Sequence, residues 1–153
     1  MTVLLVDVAN TVGARPYGWW RDRAGATARL LDRLAALPGT ELPGPDGAPL
    51  PVVALVAVVE GRARDVTAPA GIRVVRAQGS GDDALAAVAA DLADGDDDVL
   101  VVTADRGLRD RLPGTARVTG PGWLLAAADG APQRRPHPPV GEVQDPGTRP
   151  GAR

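Results

Sequence analysis

The chain is 153 residues long, 44% hydrophobic and carries a formal net charge of −2, which is enough apolar material for one domain with its own core and no global basic field to attract nucleic acid. Cysteine is absent, so disulfides, thiolate metal sites and a cysteine nucleophile are excluded, and any metal must be held by oxygen. Lysine is absent as well: all 17 basic residues are arginine, which excludes a Walker P-loop and matches the coding bias of a GC-rich bacterial genome.

In chain order, the first feature is the apolar run Val3-Leu4-Leu5-Val6 ending in Asp7. An unbroken apolar run of high β-propensity reads as a strand buried on both faces, as in a parallel sheet. Asp7 falls at its carboxyl tip, where open α/β sheets bind ligands, although Asp7 ending the strand and Asn10 supporting a turn is an equally local reading. Residues 11–18 read as a loop, followed by Trp19 and Trp20. Apolar residues at three-four spacing then predict a helix over 21–37. Four prolines and two glycines between 40 and 51 predict a surface loop before a second buried strand over 52–59. A short third strand is expected over 72–75 and a helix over 81–94. The fourth strand, 99–102, ends in Thr103-Ala104-Asp105. A short helix over 106–112, a weak fifth strand over 116–119 and helical turns over 123–128 complete an expected domain of residues 1–128. Residues 129–153 are rich in Pro, Gly and Arg and are expected to be disordered. His137, the single histidine, lies in this tail and is not expected to act in catalysis. No run approaches eighteen apolar residues and no charged start precedes a hydrophobic stretch, so a cytoplasmic protein is expected.

Strands alternating with helices predict an α/β fold, an open and mostly parallel sheet with helices on both faces. Placing strand one centrally gives the strand order 3-2-1-4-5, which sets Asp7 and Asp105 on neighbouring strand ends at the topological switch point. The helix that begins at Gly81-Asp82-Asp83 then overhangs the same crevice. Four carboxylates converging there, Asp7, Asp82, Asp83 and Asp105, repel unless a divalent cation neutralises them, and Mg²⁺ or Mn²⁺ suits an all-oxygen ligand set. Local alternatives stand beside this reading. Ser80-x-x-Asp83 is also a capping box, and Asp105 is also an N-cap.

Val6-Asp7-Val8-Ala9-Asn10, Gly81-Asp82-Asp83-Ala84-Leu85 and Val101-Val102-Thr103-Ala104-Asp105-Arg106-Gly107-Leu108-Arg109 together resemble the successive acidic motifs of the NYN branch of PIN-like ribonucleases. The resemblance spans residues 3–125. It implies a three-layer PIN-like fold and metal-dependent hydrolysis of RNA phosphodiesters, with Asp7, Asp82, Asp83 and Asp105 holding Mg²⁺ or Mn²⁺ and Asn10 assisting. The absence of lysine departs from the usual make-up of RNA-binding surfaces, so every charged phosphate contact must come from arginine.

Arg15, Arg21, Arg23, Arg62, Arg64, Arg106 and Arg109 fall in loops or first helical turns on the expected active side, and arginine contacts phosphate bidentately. Trp19 and Trp20 offer faces for unpaired bases, or pack a loop onto its own helix. Glu60, at the end of strand two, is a candidate outer ligand. The expected partner is RNA, single-stranded or structured, and the sequence leaves room for a homodimer. Two rival functions remain at this level: a non-catalytic RNA- or protein-binding module on the same fold, and a phosphatase of the haloacid-dehalogenase type using Asp7, which lacks that family's second acid and lysine.

Overall fold

The protein is described by a computed structural model over residues 1–14 and 21–130. Its centre is β1 (Thr2–Asp7), buried along all six residues. Parallel strands flank it on both edges. β3 (Pro49–Val59) pairs through Leu4↔Leu55 and Val6↔Ala57, and β5 (Asp98–Val102) through Leu4↔Leu100 and Val6↔Val102. β4 (Arg73–Arg76) adds in parallel to the carboxyl half of β3, and β6 (Arg117–Thr119) in parallel to β5.

The sheet departs from the expected five strands in one detail. A sixth strand, β2 (Glu41–Pro43), pairs antiparallel with the start of β3, so the path reads β2-β3-β1-β5-β6 with β4 also on β3. Prolines at 43, 49 and 51 made this stretch read as loop. Yet Leu42 and Leu50 face each other across the ladder and are both buried, an alternation that the prolines conceal. The hairpin turns through Gly47 at φ +84°, a left-handed conformation that glycine adopts without steric cost. Asp46 Oδ1 accepts from the Ala48 amide at 3.0 Å to fix the turn.

Alternation along β1 assigns its side chains to two cores. Leu4 and Val6 join Val8, Val12, Leu30, Leu31, Leu34 and Leu124, which come from α1 (Val8–Gly13), α2 (Arg23–Leu34) and α5 (Pro121–Gly130). On the other face Val3 and Leu5 join Leu85, Val88, Ala89 and Leu108, from α3 (Gly81–Ala93) and α4 (Arg106–Arg109). The result is a helix–sheet–helix sandwich, as patterning required.

Three helix boundaries have local causes. α1 occupies part of the expected loop: the Asp7 side chain caps it, and Val8, Thr11 and Val12 bury one face despite poor helix propensity. α2 begins after Asp22, whose Oδ1 accepts from the Gly25 amide at 2.9 Å. A Cβ at Gly25 would lie 2.1 Å from that carboxylate, so the Asp22 side chain keeps this position only with glycine there. α5 opens on Pro121, whose fixed φ suits a first helical position, and Trp123 Nε1 donates to the Pro43 carbonyl at 3.1 Å, tying the helix to the β2 hairpin.

Candidate functional site

Parallel pairing of β1 with β5 brings two strand ends together at the carboxyl edge of the sheet. Asp7 follows the Val6↔Val102 pair and is 8% exposed. Its Oδ2 accepts from the Thr103 hydroxyl at 3.0 Å and its Oδ1 from the Asn10 amide at 3.3 Å. The Thr103 hydroxyl in turn accepts from the Asp105 amide at 3.1 Å. Asn10 closes the lacing: its Oδ1 accepts from the Ala104 amide at 2.8 Å. Asn10 therefore staples the loop after β5 to α1, and its amide oxygen is already engaged. Asp105 Oδ1 accepts from the Leu108 amide at 3.1 Å, so the N-cap reading of this residue holds locally.

A second junction joins the end of β3 to the start of α3. Glu60 Oε2 accepts from the Gly81 amide. Glycine at 81 allows this approach: a Cβ there would stand 2.4 Å from that oxygen, so the Glu60 side chain would have to shift. The α3 cap differs from the expected box. Ser80 Oγ accepts from the Asp82 amide at 3.2 Å, while Asp83 turns outward and pairs with Arg111 at 2.6 Å.

Electrostatics couple the two junctions. Burial raises the Asp7 carboxyl above its ordinary value, hydrogen bonds from Asn10 and Thr103 oppose this, and the charges of Asp82 and Glu60 add to the rise. Asp82 is raised by burial, then by Asp105 and Glu60, with Arg111 opposing and Asp83 contributing least. Asp82 and Glu60 thus act on Asp7, and Asp105, Glu60 and, least, Asp83 act on Asp82. Asp83 is exposed and engaged with Arg111. Among the described residues, no three acidic side chains are placed as a ready-made metal-ligand set.

Of the predicted arginines, Arg21, Arg62, Arg64, Arg106 and Arg109 are exposed. Arg62 sits on a 3-10 turn, Gly61–Ala63, directly after Glu60. The Arg64 carbonyl accepts from the Arg76 guanidinium, which brings a cation not singled out by the sequence to the same edge. Arg111 was also missed. Its place one helical turn beyond Arg106-Gly107-Leu108 was the available signal, but its partner Asp83 lies 28 positions away and no local pattern links them. Thr103 was visible only as part of Thr-x-Asp, with no hint of its bond to Asp7. Arg15, Trp19, Trp20 and His137 lie outside the described residues. Asp7 as a phosphatase nucleophile fits poorly, since both of its oxygens accept hydrogen bonds and Ala9 stands where a second acid would be needed.

No family model matches the sequence, and no curated protein does. Solved structures do match by fold. Rae1 (YacP) from Bacillus subtilis superposes with a TM-score of 0.62 at 18% identity, covering 84% of this chain and 74% of that one. Its W164L mutant gives 0.60 at 19% identity, covering 84% and 76%. At this identity the likeness is one of fold.

Proposed function

We propose that the protein is a divalent-metal-dependent ribonuclease that hydrolyses RNA phosphodiester bonds at the carboxyl edge of its sheet. The observation that carries this reading is the coupled acidic group. A buried Asp7, oriented by Thr103 and Asn10, feels the charges of Asp82 and Glu60, and Asp82 in turn feels Asp105 and Glu60. The fold is shared with Rae1, and the three acidic motifs support a nuclease of the PIN-like branch.

The donor chemistry fits Mg²⁺ or Mn²⁺: the group is all carboxylate oxygen, the donor these ions take, and Asp7 and Asp82 are raised first by burial and then by their acidic neighbours. Asp7, Asp82 and Asp105 would hold the ion, with Glu60 as an outer oxygen. Asp83 would join only by releasing Arg111. When bound, such an ion supplies charge stabilisation to the phosphate and acidifies water for the attack. The chain's own residues do the rest. Thr103 and Asn10 fix the Asp7 carboxylate and spare the reaction its reorganisation. Arg62, Arg64, Arg106 and Arg109 line the approach and bind phosphates of the RNA bidentately.

The test is incubation of single-stranded and structured RNA with Mn²⁺ or Mg²⁺, with and without EDTA. Cleavage that needs the cation and disappears in Asp7→Asn supports the reading. The lack of a preformed ligand set among the described residues favours a second one, a non-catalytic RNA-binding module, which predicts binding without cleavage in either metal.

A further inference from the structure

On the α1–α2 face of the sheet, beside the acidic group, lies a cleft of about 390 Å³. Its walls are aliphatic, from Val8, Ala9, Val12, Val59 and Ala63, and Glu60 and Arg23 are the charged residues lining it. The volume falls within the roughly 300–1,000 Å³ of small-molecule sites, whose usual composition is apolar walls with a few polar groups. Two glycines keep one side of the cleft open. Gly61 has φ +59°, and a Cβ at Gly61 or Gly79 would meet nothing within 4 Å. The cleft is continuous with the acidic group through Glu60, the same carboxylate whose charge acts on Asp7 and Asp82.

We propose that this cleft is a subsite for one unstacked nucleotide of a single-stranded RNA, next to the bond that is cut; this rests on the ribonuclease reading. Aliphatic walls desolvate the faces of a base, and a base paired within a helix cannot enter. The Glu60 carboxylate has acceptor sites beyond the one used by Gly81, and every base presents at least one N–H donor on its pairing edge. Arg23 brings positive charge to the cleft for the adjoining phosphate. The substrate class follows: single-stranded RNA, or a loop of a structured one, rather than duplex.

Ala9 is exposed on α1 and lines the cleft, so Ala9→Phe fills the space with every carboxylate retained; Gly79→Leu does so from another lining segment if the first variant fails to fold. Two measurements are needed. Backbone amide shifts are followed while the four ribonucleoside 5′-monophosphates are titrated in Mg²⁺, and KM and kcat are measured on a short single-stranded oligoribonucleotide. The expected result is shifts at Val12, Thr27 and Gly61 that vanish in the filled variant, with KM raised at least about tenfold and kcat within about twofold. Silent cleft amides in the wild type, or an unchanged KM in both folded variants, would overturn the subsite. Shifts at the cleft in a protein that cleaves no RNA would keep the subsite and sink the nuclease instead.

Discussion

Among the described residues Asp7 is held by the donors Thr103 and Asn10, and burial decides how it responds to pH. Its carboxyl is raised above the ordinary value of 3.8, first by burial. The sign follows from linkage: a carboxyl raised on folding favours the protonated folded state, so its penalty appears as pH rises from the unfolded value through the raised one. In EDTA near neutral pH, Asp7→Asn is therefore expected to melt higher than the wild type, with the gap narrowing as pH falls into the carboxylate range; differential scanning calorimetry at several pH values checks this, and a wild type that melts higher throughout contradicts it. Thr103 is the residue to remove next. It is fully buried, donates to Asp7 and accepts from the Asp105 amide. Thr103→Val leaves a buried carboxylate oxygen short of a donor and should cost about 1–3 kcal/mol in urea unfolding. Because it misorients Asp7, it should also lower kcat more than it raises KM.

At the scale of elements, the informative one is the start of α3. Asp82 and Asp83 are adjacent in the sequence, and nothing there says which of them faces the crevice. A helix rotates successive side chains by about 100°, so both cannot point the same way; Asp82 feels Asp105 and Glu60 most among its charged neighbours, while Asp83 pairs with Arg111. Asp82→Ala is accordingly expected to reduce the cleavage rate per folded molecule by orders of magnitude. Asp83→Ala removes an exposed ion pair whose stability contribution is about 0–1 kcal/mol, and its rate should fall far less. Equal losses in a side-by-side rate measurement would contradict this division. Gly81→Ala probes the junction with β3. Its methyl group would meet the Glu60 carboxylate at 2.4 Å, so the variant should melt lower while Gly79→Ala, in open space, does not. The element starts that sequence misjudged share one cause: α1 and β2 are stabilised by what they pack against, Asp7 and β3, and not by their own propensity.

For the whole molecule, the unbroken apolar runs at Val3, Val52 and Val99 made the buried parallel strands legible, since only a sheet covered on both faces has such strands. Leu5, fully buried in the α3 side of the core, should lose about 2–5 kcal/mol on conversion to Ala. The carboxyl-edge position of Asp7 and Asp105 was legible for the same reason, once β1 was taken as central. What sequence could not give were contacts between distant positions: Thr103 on Asp7, Glu60 on Gly81 and Arg111 on Asp83 join residues 96, 21 and 28 apart. The first two of these contacts fix Asp7 and Glu60 at the carboxyl edge, and the central claim is that the acidic residues gathered there bind a divalent cation. The most direct test is calorimetric titration of the intact protein with Mn²⁺, beside Asp7→Asn and Asp82→Asn. Saturable Mn²⁺ binding to the wild type that both substitutions abolish, with both variants still folded, is the expected result. Wild-type Mn²⁺ affinity in both folded variants, or no binding to the wild type at all, would contradict it.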